Sequence, residues 1–565
     1  MLCIPIGNCT IQRLLKNLRQ ASKSADLVEI RADSITGFSL ATLLKYKPQK
    51  PLIFTCYSRL SGGAFRGTES QRINLLLSAI TSGRFEYITI DIPLSLKIPE
   101  ATKSLIDLAR RKKAKIILAY HNYRNTPDNL SAVYRQLAAL RPDAVKIVTY
   151  AREFSDNFRI FRLARQTAVP PLASPRRANL AQKGGSLALT GGMKRPKLIA
   201  FCMGEKGLIS RILYRRFGLF LTYASYKQGA QTAEGQIPFG QMKYLYRADS
   251  INRRTRIFGL LGNPIEHSYS PILFNALFYA KNISGVYLPF AIDLPAGRQG
   301  RKHFKDDFAL IKKFLKPEGF SITSPYKIKA MQFVSRLSRS AREIGAINTI
   351  YKRGGKYIGT NTDWLGVLET LYQLRKMLNN RPALSAPTFR RRGKKGEVRP
   401  RLAPARAERA EGRQALIIGK GGAARAILYV LRNSGIRTTV FARKAGKGAP
   451  LLSTEARAPS PQGTVRGALP LSRLSQYCRG SGSDKIIINA TPIGMQPDTA
   501  KSPVPKTCLK RGMVVFDTIY NPSRTQLLKD AQKKGCITVN GLMMFLVQAL
   551  KQMECFTHAF RNSKR

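Results

Sequence analysis

Eight short apolar runs, each followed by a helical pattern, fill the first 250 residues and constrain the fold of this chain more than any other feature. They span 2–6, 27–31, 51–57, 87–92, 115–120, 144–149, 197–203 and 220–225. Strands separated by helices pair in parallel, and eight such units in succession predict a (β/α)8 barrel. In that architecture reactive groups gather where the strands end. Reading the polar residues there gives Glu29 and Arg31, then His121, Lys146, Arg211, and finally Thr232 with Gln236.

Lys146 stands in Asp-Ala-Val-Lys-Ile-Val-Thr, an apolar run where an ammonium loses hydration and its pKa falls toward the range of a nucleophilic amine. A neutral amine there can form a Schiff base with a ketone. A strand-end lysine that snorkels to water fits the same residues. His121, in Ala-Tyr-His-Asn-Tyr on the preceding strand, favours the first reading, because an imine needs a base at the adjacent carbon and imidazole supplies one near neutral pH.

These residues resemble type I 3-dehydroquinate dehydratase over nearly all of 1–250. The resemblance rests on Glu-Ile-Arg-Ala-Asp at 29–33, Tyr120-His121, Lys146, Met-Gly-Glu-Lys-Gly-Leu-Ile-Ser-Arg at 203–211 and Ala-Glu-Gly-Gln at 233–236. It implies that Lys146 carries the imine, that His121 removes the proton and assists departure of the hydroxyl, and that Arg211 holds the substrate carboxylate. Glu29, Arg31, Thr232 and Gln236 complete the implied substrate site. Three positions depart from the family. Tyr57 and Ser61 precede Gly62-Gly63 where an arginine and a glutamate are usual, which puts substrate orientation in question but leaves the imine chemistry. Thr232 replaces a serine and keeps the hydroxyl.

The run Arg256-Ile-Phe-Gly-Leu-Leu-Gly-Asn-Pro-Ile-Glu-His-Ser-Tyr-Ser-Pro271 opens a second pattern of strands and helices. Ser268 and Ser270 lie at a strand-to-helix turn, where two hydroxyls can meet a polyol or simply cap the helix. Further on, Gly-Phe-Ser-Ile-Thr-Ser-Pro-Tyr-Lys at 319–327 predicts Lys327 at a helix start, where the dipole favours its deprotonation, with Ser321 and Thr323 facing one pocket. Ala415-Leu-Ile-Ile-Gly-Lys-Gly-Gly-Ala-Ala-Arg425 reads as a buried strand, a glycine turn and a helix start. Gly419, Gly421, Gly422 and Ala423 let the backbone approach a pyrophosphate at the helix N-terminus. The next strand, 438–442, ends in Arg443-Lys444 rather than in an acid, which suits the extra phosphate of NADP.

With Gly-Ala-Ile-Asn-Thr at 345–349, Gly-Thr-Asn-Thr-Asp-Trp at 359–364, Asn-Ala-Thr-Pro at 489–492, Phe-Asp-Thr-Ile-Tyr-Asn-Pro at 516–522 and Asn-Gly-Leu-Met-Met-Phe-Leu-Val-Gln at 540–548, residues 256–560 resemble shikimate dehydrogenase. Position by position, the resemblance implies that Ser268, Ser270, Thr323, Asn348, Asp363, Tyr520 and Gln548 meet shikimate. Lys327 with Asp363 forms the implied catalytic pair. Asn489, Thr491 and Gly541 join the implied cofactor site. The expected fold class is α/β: an N-terminal (β/α)8 barrel over 1–250, a shikimate-binding α/β domain over 253–362 completed by a helix at 541–560, and a Rossmann-like NADP domain over 363–540.

Composition tests this reading against another. A formal charge of +64 over 565 residues suits a nucleic-acid binder. Part of the basic excess, however, falls in four Arg-, Lys-, Pro- and Gly-rich stretches, 170–195, 294–302, 380–413 and 445–468, which are expected to be flexible surface insertions and which lack interleaved aromatics. The eight cysteines show no metal-type spacing, so reduced thiols and no metal are expected. The first residues already read as a strand rather than a signal peptide, so a cytoplasmic protein is expected. The expectation is a bifunctional enzyme acting on 3-dehydroquinate, 3-dehydroshikimate and shikimate, without specific nucleic acid or membrane, with a homodimer as one possible assembly. The competing readings are a shikimate dehydrogenase with an impaired barrel and a basic RNA-associated protein built on enzyme-like scaffolds.

Overall fold

The computed structural model describes residues 1–92, 100–168, 195–293, 297–377, 414–443, 468–478 and 485–561. They form two compact units, Met1–Ile257 with Pro271–Pro317, and Phe258–Ser270 with Glu318–Arg565.

In the first unit the expected strands are present as β1 (Leu2–Ile6), β2 (Leu27–Arg31), β3 (Leu52–Thr55), β4 (Tyr87–Ile92), β5 (Lys115–His121), β6 (Ala144–Tyr150), β7 (Lys197–Met203) and β8 (Thr222–Tyr223). Their order is β8-β1-β2-β3-β4-β5-β6-β7, every neighbour parallel, so the sheet curls into a nearly closed barrel. Between β7 and β8, the Phe220 amide donates to the Leu198 carbonyl at 2.8 Å. Side chains alternate along a strand, so one parity of each run points inward. Leu27, Ile53, Tyr87, Ile117, Ala144, Ile199 and Leu221 pack together as an apolar layer. Two residues further along, the same parity carries Glu29, Thr55, Thr89, Lys146 and Tyr223, with the apolar Ala119 and Phe201 on the other two strands, all buried. The barrel thus has an oily floor and a polar layer above it.

Strand β9 (Arg256–Gly262), which belongs to the second unit from Phe258 on, precedes β10 (Gly285–Ala291) of the first unit, and β11 (Gly319–Ile322), β12 (Arg336–Leu337), β13 (Thr349–Arg353) and β14 (Lys356–Thr360) of the second unit follow. Strand β9 pairs in parallel with β11, and β11 and β14 both pair antiparallel to β13. A separate sheet contains β15 (Gln414–Ile418), β16 (Arg437–Ala442), β17 (Leu469–Pro470), β18 (Lys485–Asn489), β19 (Val514–Asp517) and β20 (Ile537–Val539). Its order β17-β16-β15-β18-β19-β20 is that of a doubly wound Rossmann sheet. Ala415 and Ile417 pack on one face, Leu416 and Ile418 on the other. A strand covered on both sides has no polar face, which is why Ala-Leu-Ile-Ile reads as unbroken apolar sequence.

Three expectations change. Lys327 stands in a turn two residues before the 3-10 segment Lys329–Phe333, and no α-helix begins there. The cis Ser324-Pro325 peptide shapes that turn. Ser321 does not line a pocket with Thr323; its hydroxyl is buried and donates to Gln552 Oε1 at 2.5 Å. Residues 297–302 belong to the helix Gly297–Leu315 rather than to a flexible insertion, because Phe304, Phe308, Ile311 and Leu315 supply a buried helical stripe downstream. The expected insertions at 170–194, 380–413 and 445–467 lie outside the described residues, as does Lys444. No helix among the described residues is long and apolar enough to cross a membrane.

The helices Asp363–Met377 and Leu542–Arg561 meet where Gly366 has no side chain. A Cβ built at Gly366 would stand 2.4 Å from the Met544 carbonyl oxygen, and neither backbone can yield locally. Gly366→Ala is therefore expected to destabilise the second unit by about 1–3 kcal/mol through overpacking, despite alanine's higher helix propensity. Thermal unfolding checks this; an unchanged or raised midpoint contradicts it.

Candidate active sites

The barrel carries the first site. Lys146 is the third residue of β6, and its side chain is 5% exposed, so the snorkelling alternative does not apply. Its Nζ donates to Glu29 Oε1 at 3.1 Å and to the Tyr57 hydroxyl at 3.0 Å, and lies 4.1 Å from the centre of the Tyr223 ring. Glu29 also accepts from Thr55 at 2.9 Å and from Tyr223 at 3.3 Å. Burial lowers the pKa of Lys146, while the charge and hydrogen bond of Glu29 oppose the shift. The amine is thus held beside a counter-ion in a place that disfavours its charge.

Strand register puts Ala119 beside Lys146 and His121 beside Val148, so His121 stands one inward step above the lysine. Burial, then the charges of Lys146 and Arg31, push its pKa well below the ordinary value of 6.5. Its Nδ1 has no partner among the described residues, and its ring lies edge-on to Tyr57 at 4.7 Å and stacked on Tyr123 at 5.7 Å. Arg211 is fully buried above Phe201, with only Nη2 engaged, donating to the Glu234 carbonyl at 3.3 Å. Its Nε and Nη1 are unpartnered, and burial lowers its pKa to about 10. Two unspent donors of one planar fork fit a carboxylate. Arg31 is clamped by Asp33 at 3.0 and 2.8 Å, and the Thr232 amide donates to Gln236 at 3.0 Å.

Tyr57 is the residue whose place the sequence left open. It lies beyond the end of β3 yet continues the inward parity of Ile53 and Thr55, which brings its phenol to Lys146. That parity was the signal for it. Ser61 stays in the loop wall, where its carbonyl accepts from Tyr123 at 3.1 Å.

The second unit carries the other site. Lys327 Nζ donates to Asp363 Oδ2 at 2.6 Å, and Asn348 Nδ2 donates to Asp363 Oδ1 at 2.9 Å and to Gln548 Oε1 at 3.1 Å. Thus Lys327, Asn348, Asp363 and Gln548 come together from four separate parts of the sequence. Ser268 and Ser270 share a hydrogen bond of 3.1 Å, and Ser268 lies 3.4 Å from the Tyr520 hydroxyl. Thr323 is fixed through its amide to the Leu261 carbonyl at 3.0 Å. Thr362 and Gln552 also anchor this group. The Thr362 hydroxyl receives from Asn348 Nδ2 at 2.9 Å, and Gln552 Nε2 donates to the Asn348 carbonyl at 3.0 Å. Neither residue was foreseen, because each acts on Asn348 rather than on a ligand.

The glycine turn adjoins this group. A Cβ at Gly422 would stand 2.6 Å from Lys327 Cβ, so the start of the helix Gly422–Asn433 lies against the lysine. At Gly419, φ is +120°, a conformation that disfavours other residues, and an added Cβ would meet the Ala490 carbonyl at 2.8 Å. Around Gly421 the space is open, and no side chain caps the helix before Ala423, which leaves amides for an anion. Arg443 is exposed at the end of β16, where no acid stands. Across the switch point, Asn489 is held by Asp517 at 3.0 Å and accepts from the Thr491 amide at 3.0 Å. Burial raises the pKa of Asp517 to about 6, against hydrogen bonds from Thr525, Ile519 and Asn489 that lower it. A Cβ at Gly541 would lie 2.0 Å from the Thr518 carbonyl, so this glycine serves close packing. Among the described residues, no cluster of three or more His, Cys, Asp or Glu could hold a metal.

The chain holds four histidines, which makes His121 assignable by NMR with a His121→Gln control. It should remain neutral as pH falls through 6.5, with a midpoint below that value. A midpoint at or above 6.5 would mean that the imidazole is hydrated or paired.

Residues 2–174 and 187–253 match a family model described as type I 3-dehydroquinase, the gap falling within the expected 170–195 insertion. Residues 260–350 match the shikimate dehydrogenase substrate binding domain. A chloroplastic bifunctional 3-dehydroquinate dehydratase/shikimate dehydrogenase of Arabidopsis thaliana is 30% identical over 568 residues, covering 99% of this chain and 82% of that protein. A shikimate dehydrogenase (NADP(+)) of Pyrococcus furiosus is 32% identical over 54% of this chain and 92% of its own length. A crystal structure of a shikimate dehydrogenase in complex with NADP+ is 31% identical, covers 55% of this chain and 92% of that one, and has a TM-score of 0.40.

Proposed function

We propose, for a chain that belongs to the bifunctional 3-dehydroquinate dehydratase/shikimate dehydrogenase family, that it dehydrates 3-dehydroquinate to 3-dehydroshikimate and reduces the product to shikimate with NADPH. The observation that carries the reading is the buried Lys146 amine, held by Glu29 on the same chain as the Lys327–Asp363 pair.

In the barrel, Lys146 attacks the ketone and forms the imine. His121, neutral through the physiological range, takes the proton from the adjacent carbon and returns it to the departing hydroxyl. Arg211 receives the carboxylate on Nε and Nη1, while Glu29, Arg31, Thr232 and Gln236 surround the ring. In the second unit Ser268, Ser270, Thr323, Asn348, Tyr520 and Gln548 hold the polyol, and Asn348 aims Asp363 at Lys327. That lysine supplies the proton to the carbonyl oxygen as it is reduced. The glycine turn at 419–423, Arg443 with Lys444, Asn489, Thr491 and Gly541 fit NADP, which supplies the hydride. On this reading 1–250 is the dehydratase, and 253–362 binds shikimate. The helix at 541–560 completes that domain through Gln548 and Gln552, and 363–540 binds the cofactor.

The partners are small molecules, with no specific nucleic acid or membrane. All eight cysteines are free, consistent with the reducing cytoplasm. A homodimer belongs to the same proposal, and sedimentation at enzyme concentrations tests it.

A coupled assay with 3-dehydroquinate and NADPH should oxidise the nicotinamide and yield shikimate; no shikimate would sink the reading. Borohydride with 3-dehydroquinate should add ligand mass to the Lys146 peptide, and His121→Ala should slow turnover by about two to four orders of magnitude while trapping persists. Labelling at another lysine overturns the assignment. Arg443→Ala with Lys444→Ala should weaken NADPH binding by about 1.5–3 kcal/mol per charge-assisted contact and leave NADH nearly unchanged. An unaltered ratio of kcat/KM for the two cofactors would show that both side chains face only solvent.

A further inference from the structure

We propose that Tyr57 is a catalytic residue of the dehydratase half, relaying a proton from Lys146 Nζ to the substrate's carbonyl oxygen while the imine forms; the inference rests on the imine chemistry proposed above. Tyr57 stands where the family carries an arginine, and an arginine there could not have this role, because guanidinium has no acceptor and does not give up its proton.

Geometry favours the relay. The Tyr57 hydroxyl accepts from Lys146 Nζ at 3.0 Å, and its own proton has no acceptor among the described residues. The phenol therefore touches the reacting nitrogen and holds one hydrogen unspent. Glu29 cannot take this part, since its Oε1 already accepts from Lys146, Thr55 and Tyr223 and an ionised carboxylate has no proton to give. The loop fixes the phenol in place. The Gly63 backbone lies so close that a Cβ there would stand 2.2 Å from the Tyr57 carbonyl oxygen, and Ser58, next in sequence, donates to Asp91 at 2.6 Å. The Arg31 guanidinium is 4.5 Å from the ring centre, a cation placed to steady the phenolate that exists while the proton is in transit. Burial, then Glu29, keep the phenol protonated at rest, which a donor requires.

The step balances. From the ammonium, Nζ sheds two protons and bonds to the carbonyl carbon; the carbon–oxygen bond breaks, and the oxygen leaves as water with both protons. The iminium keeps the positive charge. Tyr57 gives its hydroxyl proton to the oxygen and takes one from Nζ, so the phenol ends as it began.

The experiment compares the full-length wild type with Tyr57→Phe, using rapid-quench borohydride trapping with 3-dehydroquinate and the isotope effect on substrate deuterated at the carbon His121 deprotonates. Wild type must form the Lys146 adduct; if it does not, the imine reading fails and this proposal with it. Given that adduct, Tyr57→Phe should trap about 100-fold more slowly, and its isotope effect on turnover should shrink toward unity as imine formation becomes limiting. Trapping at the wild-type rate with an unchanged isotope effect overturns the relay alone. If the phenylalanine variant loses its cooperative melt, 3,5-difluorotyrosine at position 57 keeps the shape and lowers the phenol pKa. Its trapping rate should then shift in pH profile, and an unshifted profile overturns the relay.

Discussion

A charged amine inside the barrel is the constraint around which the first unit is built. Moving an ammonium out of water costs several kcal/mol, and a single carboxylate rarely offsets that unless its remaining lone pairs are also satisfied. Here Glu29 is itself 3% exposed and takes hydrogen bonds from Thr55 and Tyr223 as well as from Lys146. The polar layer is therefore one unit: without Glu29 the amine keeps only the Tyr57 hydroxyl and loses its counter-ion, and without Lys146 the carboxylate loses its cation. Stability would be served better by apolar residues of the same volume. Desolvation also lowers the lysine's pKa, which is what the imine role proposed for Lys146 requires.

How much of this was readable in the sequence follows from periodicity. The eight strands and the Rossmann sheet were legible, because period-2 alternation and unbroken apolar runs report directly on which faces are covered. Motifs drew attention to Lys146, His121, Arg211, Lys327 and Asp363, and the structure buries Lys146 beside Glu29 and joins Lys327 to Asp363. The same alternation, carried two residues past Thr55, reaches Tyr57, but the loop's glycines at 62 and 63 drew the eye to turn chemistry instead. Lys327 was misplaced at a helix start because a proline two residues earlier resembles an N-terminal signal; here Ser324-Pro325 is a cis turn leading to a short 3-10 segment. Thr362 and Gln552 were invisible for another reason. Thr362 meets Asn348 from 14 residues away and Gln552 from 204, and no helix or strand period encodes either contact.

Both units pair a lysine with a carboxylate, yet the electrostatic settings differ. Lys327 is 17% exposed and sits against Asp363, whose second oxygen is engaged by Asn348, which in turn reaches Gln548. This chain orients the carboxylate and leaves the lysine reachable from solvent. A nucleophile must shed its charge before it reacts, and burial helps. A group that delivers a proton to a developing alkoxide must first be charged and later recharged, which partial exposure allows.

The barrel site also leaves buried polar atoms unspent. Arg211 Nε and Nη1 and His121 Nδ1 are buried without partners, and the Tyr57 proton is uncommitted. Each buried unsatisfied group costs about 1–3 kcal/mol, so a fold optimised for stability alone would satisfy or discard them. On the reading proposed for the barrel, these are the groups that a bound anion and ketone would engage. Binding then repays a strain already present, and the same groups need no reorganisation when charge moves during the reaction.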